Sequence, residues 1–96
     1  MIHEIARLTI DPTRAEAFEA AVGAARAHFE AAKGFVSFAL ERVLENPAHY
    51  RLVVGWESLE AHTVDFRSSE GFQAWRALAG PFFVAPPEVE HVTRVL

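Results

Sequence analysis

The sequence predicts an α+β fold with elements in the order β-α-β-β-α-β, and three observations carry that prediction. Four segments, Ile2 to Ile10, Phe35 to Leu44, His49 to Glu57 and Val89 to Leu96, have the residue types and spacing of β-strands. Between the first two, apolar residues recur at steps of four and three, the spacing of one face of a helix. Only the turn "ENPAH" separates the second and third strand segments, which makes them an antiparallel hairpin. Right-handed crossovers fold this order into a four-stranded antiparallel sheet with the helices on one face, the ferredoxin-like arrangement.

Each element has its own local reason. In the first strand Ile2, Leu8 and Ile10 share one face, while Ile5 lies on the other with His3 and Arg7. "DPTRAE" then starts a helix. Asp11 before Pro12 suits a cap with proline at the first position, and Thr13 with Glu16 offers a competing capping box. The sequence does not choose between them. Phe18, Val22, Ala25, Phe29 and Ala32 form the apolar stripe of this helix, and Lys33-Gly34 closes it with a residue free to turn left-handed.

The second strand carries Val36, Phe38 and Leu40 on one face and Phe35, Ala39 and Val43 on the other. The third strand sets Tyr50, Leu52, Val54 and Trp56 on one face. Ser58 caps a short helix through about Phe66. Ser68 or Ser69 caps another through about Ala79, stopped by Gly80-Pro81. No repeat, linker or low-complexity stretch interrupts the chain, so residues 1–96 read as a single domain.

Composition narrows the function classes. A chain of 96 residues has a modest core of its own, yet 51% of it is hydrophobic and 11% aromatic. Apolar side chains on both faces of the first two strands point to a second copy covering the bare face, hence a homodimer packed sheet to sheet. Thirteen acids against nine bases give a net charge of −4 with no basic cluster, which disfavours nucleic acid and anionic membranes as partners. The absence of cysteine excludes disulfides, thiolate nucleophiles and thiolate metal sites. With no apolar run long enough to span a bilayer and no signal-peptide pattern in "MIHEIARLTI", the expected location is cytoplasmic.

From Tyr50 onward the residues resemble a known family. Val54-Gly55-Trp56-Glu57-Ser58 leads to Glu60-Ala61-His62, then to Phe66, Ser69, Phe72, Trp75, Leu78 and Phe82-Phe83, and to a last strand with Glu90 and Val92. This pattern is similar to the antibiotic biosynthesis monooxygenase domain, a dimeric α+β barrel, and the likeness covers nearly the whole chain. The resemblance implies a homodimer with a pocket between helices and sheet in each subunit. Family members include cofactor-free monooxygenases that oxidise polycyclic phenols to quinones with dioxygen, and others that degrade haem or act on small signalling quinones. The haem-degrading branch carries asparagine, tryptophan and histidine where this chain has Ala6, Phe66 and Arg76. All three of its marks are missing.

Among chemistry-bearing residues, Trp56 reads first as a core residue and second as a flat wall for an aromatic molecule. Leu59, His62 and Phe66 follow helical spacing, which turns His62 towards the sheet. There it is either held by a hydrogen bond or poised as a base, since an ordinary imidazole pKa of about 6.5 suits proton abstraction at neutral pH. Phe66, Phe72, Trp75, Phe82 and Phe83 form an aromatic series that packs the core and can border a planar ligand. Arg67 and Arg76 are surface charges unless they sit at a pocket mouth, where they would stabilise a phenolate or enolate. Tyr50 is a weaker hydrogen-bond candidate. His3, His28, His49 and His91 are scattered, with no metal-ligand spacing and no carboxylate pair beside them, so no metal is expected. No phosphate loop, nucleophile elbow or nucleotide fingerprint is present, and no cofactor is expected.

The expected function is therefore that of a cofactor-independent monooxygenase acting on a planar phenolic, aromatic or quinone-like small molecule. His62 is the candidate catalytic base, and Trp56, Phe66, Trp75, Phe83, Arg67 and Arg76 are the candidate binding residues. The alternative is a homodimer that binds or senses such a molecule without catalysis, and a filled interior would leave only a structural domain. A void of about 300 Å3 or more with a polar group turned inward would favour binding.

Overall fold

The computed structural model describes residues 1–96. Its elements are β1 (Ile2–Thr9), α1 (Ala15–Glu30), β2 (Phe35–Arg42), β3 (His49–Trp56), α2 (Glu70–Ala79) and β4 (Glu88–Val92), with a π-helical segment over Ala61–Phe66. The strands form one antiparallel sheet in the order β2-β3-β1-β4. Side chains from α1, the π-helical segment and α2 join the inner faces of β1 and β3 in one core. This is the α+β, ferredoxin-like arrangement that the sequence predicts. No helix is long and apolar enough to cross a membrane.

The two-residue period sets which side chains reach that core. On β1 the buried residues are Glu4, Ala6 and Leu8, with Ile10 just beyond. On β3 they are Tyr50, Leu52, Val54 and Trp56, the face read from alternation. From α1 come Ala15, Phe18, Val22, Ala25 and Phe29, spaced to meet the sheet along one stripe. Asp11 turns out to be the cap. Its Oδ1 accepts from the Thr13 backbone N–H at 2.9 Å, Pro12 opens a 3-10 turn, and α1 proper begins at Ala15. Gly34 follows with φ +81°, the left-handed conformation that glycine adopts without steric cost.

Several boundaries differ from the pattern. β1 stops at Thr9, and Ile10 instead bridges to Phe83. β2 ends at Arg42 and β4 at Val92, both earlier than their apolar runs suggest. Within β2 the pairing shifts between Phe35 and Ser37, and this irregularity breaks the alternation. Phe35 therefore packs on the core together with Phe38 and Leu40, while Val36, expected beside Phe38, is 44% exposed. Ser69 rather than Ser68 caps α2, its Oγ accepting from Phe72 N at 3.2 Å. Ser68 Oγ donates instead to the Val64 carbonyl.

Candidate functional site

The site begins with a carboxylate in an unexpected place. Glu4 occupies an inward position of β1, directly opposite Val54 on β3 and His91 on β4. It is 5% exposed. Trp56, across from Ile2, lies diagonally next to it, and the indole Nε1–H donates to Glu4 Oε1 at 3.1 Å.

His62 comes to this carboxylate from the other layer. Ser58 Oγ accepts from Ala61 N at 3.2 Å and starts the turn, which then winds as a π-helix with Arg67 N donating to the His62 carbonyl at 3.2 Å. A π-turn carries an extra residue and changes the phase of the inward stripe. Ala61, His62 and Phe66 turn inward, and Leu59, expected on the same stripe, is 43% exposed. The His62 ring stacks on Trp56 at 5.5 Å between centroids and 15° between planes. Its Nε2 lies 3.2 Å from Glu4 Oε1, and its Nδ1 lies 2.8 Å from His91 Nε2. Four side chains from three strands and a helical segment thus form one connected network.

Burial sets the charges in this network. Loss of water raises the Glu4 carboxyl to a pKa of about 7, against the opposing pull of the Trp56 hydrogen bond and the Arg67 charge. The same desolvation lowers His62 to about 4, reinforced by the positive charges of Arg67 and His91. His91 is lowered for the same reasons, burial first and Arg67 second. At neutral pH His62 is uncharged and Glu4 is poised between its two forms. Desolvation thus takes His62 below the ordinary imidazole range and brings a carboxyl group to about 7.

Beside this network lies a cavity of about 250 Å3. Its floor is the inner face of the sheet at Glu4, Ala6, Leu8 and Leu52. Phe72, Trp75 and Phe83 form the roof, His62 stands in the wall, and Arg67, Arg76, Pro87 and Val89 complete the rim. That volume is a little under the ~300 Å3 of ordinary small-molecule sites, so the occupant it suits is compact. A larger hollow of about 540 Å3 lies on the opposite face of the sheet, around Ile5, Arg7, Arg51 and Glu88. Its Arg7–Glu88 pair is exposed on both sides, so it has neither the dryness nor the perturbed groups that chemistry needs.

Of the residues singled out from sequence, His62, Trp75, Phe83, Arg67 and Arg76 surround the inner cavity. Trp56 and Phe66 do not border it. They stand behind His62, with ring centroids 5.2 Å apart, and act on the site through packing and the Glu4 hydrogen bond. Tyr50 is buried elsewhere, donating to Glu19 at 2.5 Å. His91, which reads as scattered in the chain, is brought onto His62 by the pairing of β4 with β1. Glu4 was missed, although its signal was present: a lone acid between Ile2 and Leu8 on the apolar face of a strand. No three His, Asp or Glu side chains converge in the manner of metal ligands.

Residues 1–78 match the model of the family described as antibiotic biosynthesis monooxygenase. The chain belongs to that family. Among the relatives of this monooxygenase-family domain is the uncharacterised protein YczJ of Bacillus subtilis, 37% identical over 91 residues, a match covering 95% of this chain and 96% of YczJ. A crystal structure of an antibiotic biosynthesis monooxygenase-type protein from Bordetella bronchiseptica superposes with a TM-score of 0.96 at 47% identity, over 99% of this chain and 97% of that one. SnoaB of Streptomyces nogalater, a cofactor-independent oxygenase, shares the fold with a TM-score of 0.81 at 21% identity, over 99% and 93% of the two chains. Glu4, Trp56, His62 and both rim arginines lie within the family match; Phe83 and His91 lie beyond it.

Proposed function

We propose that this protein is a cofactor-independent monooxygenase that binds a compact planar phenol or quinol in the inner cavity and oxidises it with dioxygen. The observation that carries this reading is the pairing of a largely apolar cavity with a buried, proton-exchanging network on its wall. An electron-rich phenolate or carbanion can react with dioxygen directly, so the protein's task is to bind the phenol, remove a proton and exclude water. Phe72, Trp75 and Phe83 supply flat apolar surface for the ring, and Arg67 and Arg76 supply positive charge at the rim for the developing anion. Membership of the family and the fold shared with SnoaB support this class of chemistry.

The working unit in this reading is a homodimer. On the outer face of the sheet Ile5, Val53 and Ala39 lie side by side across β1, β3 and β2, and Val36 and Val92 add exposed apolar surface. A second copy laid face to face covers this patch and leaves the helical side of each subunit free.

Oxygen uptake tests the activity. A panel running from a dihydroxynaphthalene to a dihydroxyanthracene is expected to give dioxygen consumption above the protein-free rate, with quinone formed in proportion. Tight binding without oxygen uptake across the panel would instead establish a binding or sensing protein. Absence of both would leave a structural domain.

A further inference from the structure

We infer that Glu4 is the catalytic base of this site, taking the substrate's phenolic proton on its Oε2 atom while Trp56, His62 and His91 serve as positioning residues. The inference rests on the phenol-binding reading above and assigns the proton-transfer step to one atom.

The carboxylate's protein hydrogen bond, from Trp56 Nε1 at 3.1 Å, falls on Oε1, and His62 Nε2 lies 3.2 Å from the same oxygen. Oε2 has no such partner, and no buried side-chain polar atom of the protein lacks one. Oε2 is therefore open to the surroundings, and the space that Glu4 borders is the inner cavity. His62 is the reverse case. Its Nδ1 is bonded to His91 and its Nε2 lies 3.2 Å from Glu4 Oε1, so both ring nitrogens are turned towards protein groups. It borders the cavity, and burial makes its ring a weaker base than the Glu4 carboxylate.

The charged and titratable groups facing Glu4 from each packed element are consistent with this role. His62 comes from the π-helical segment, Arg67 from its end, His91 from β4 and Arg76 from α2. Burial brings Glu4 to about 7, which suits a base at neutral pH, and keeps the neighbouring His62 neutral. In the step itself the phenolic O–H bond breaks and a new O–H bond forms on Glu4 Oε2. The electron pair stays on the phenolate oxygen, and the negative charge passes from carboxylate to phenolate within reach of Arg67 and Arg76. The site's total charge does not change, which is what a dry cavity requires.

A chromophoric phenol tests the assignment without turnover. Para-nitrophenol is titrated into the protein at a pH of about 7, where Glu4 is partly ionised, and the absorbance of the bound form, set against that of the free probe at the same pH, reports the change in its ionisation. Wild type is expected to bind it with a larger phenolate fraction than the free probe has. Glu4→Gln, which retains an acceptor for Trp56, is expected to bind the neutral phenol with affinity within about threefold of that of wild type. Trp56→Phe removes a bond that favours the carboxylate and is expected to raise the pH midpoint of ionisation without abolishing it. A purely structural indole would not move that midpoint. Equal ionisation in wild type and Glu4→Gln overturns the assignment and leaves the binding reading intact. Failure of wild type to bind the probe overturns both. Should Glu4→Gln not fold, carboxyl carbon NMR of wild type decides: titration of Glu4 near pH 7 supports the assignment, and titration in the ordinary glutamate range overturns it.

Discussion

Glu4 Oε1 lies 3.1 Å from the indole nitrogen of Trp56 and 3.2 Å from Nε2 of His62, so one buried oxygen is approached by nitrogens from both layers of the fold. The pair of titratable groups in this arrangement has opposed linkage to pH. Folding raises Glu4 from 4.5 to about 7, and a raised carboxyl contributes stability below its unfolded pKa that is lost as pH climbs through the folded one. Folding lowers His62 from 6.5 to about 4, which contributes stability above pH 6.5 that is lost as pH falls towards 4. Between about pH 4.5 and 6.5 the two effects cancel, because folding takes up one proton at Glu4 and releases one at His62. Each single variant unmasks the other group. Relative to wild type, Glu4→Gln is expected to gain stability with rising pH at up to about 1.4 kcal/mol per unit, and His62→Gln to lose it at a similar slope. Urea unfolding at a series of pH values measures both slopes. The same sign in the two variants would contradict the assignment.

Trp56 is fully buried and tied to Glu4 by its N–H. Trp56→Phe keeps an aromatic ring against His62 and Phe66 but removes the donor. The cost is expected to be about 2 kcal/mol where Glu4 is ionised, in the range for a hydrogen bond to a charged group, and smaller where Glu4 is protonated. Denaturant midpoints above pH 7.5 and below pH 5.5 would show that difference. A pH-independent loss would mean that ring volume alone is responsible.

Gly34 couples the turn after α1 to the segment that carries His62. Its φ of +81° is unfavourable for any residue with a Cβ, and an added Cβ would stand 2.7 Å from the Cβ of Ala61. Gly34→Ala is expected to cost about 1–2 kcal/mol from the backbone alone, with a further loss from the clash. Because Ala61 adjoins His62, the His62 ring resonances should shift along with the thermal midpoint. A destabilised protein whose His62 signals stay put would show that the turn and the site are independent.

Ala6 forms part of the cavity floor two residues along β1 from Glu4, on the same face. Ala6→Leu places three extra carbons in that space. Para-nitrophenol affinity is expected to fall at least about tenfold, equivalent to about 1.4 kcal/mol, while the protein keeps its fold because the side chain enters a void. Calorimetric titration beside a melting curve checks both halves. Unchanged binding would place the ligand elsewhere.

How far the sequence anticipates this site depends on which physical signal each residue leaves. Alternation along Tyr50, Leu52, Val54 and Trp56 is strong because one face is buried, and it identifies the sheet's inner side. The same alternation fails at Val36, where a register shift in β2 changes the count without altering the residue types. It fails again at Leu59, because the π-helical turn at Ala61–Phe66 changes the phase that a regular helix would keep. Glu4 was legible as an acid on an apolar strand face. Its partner His91 was not, since 87 positions of chain separate them and only the β1–β4 pairing sets them opposite each other. The opposite pKa shifts of Glu4 and His62 follow from desolvation acting in opposite directions on an acid and a base, which no residue spacing encodes.

The outer sheet face gives the last prediction. Val53 sits at its centre, between Ile5 on β1 and Ala39 on β2, in a row of three apolar residues across the sheet. Around them Arg7, Arg51, Glu41 and Glu88 form a mixed-charge border that is itself exposed, the pattern of an apolar centre with a polar rim. Wild type is expected to run as a dimer in size-exclusion chromatography with light scattering at micromolar concentration. Val53→Asp would place two carboxylates at the centre of a face-to-face contact, one from each copy, in place of two apolar side chains. That desolvated like-charge pair is expected to cost several kcal/mol of association and to yield a folded monomer. Since Val53 points away from the inner cavity, the monomer should keep the Glu4 titration near pH 7. A Val53→Asp protein that still elutes as a dimer would place the interface on another surface, and a monomeric wild type would show that the apolar row does not need a second copy.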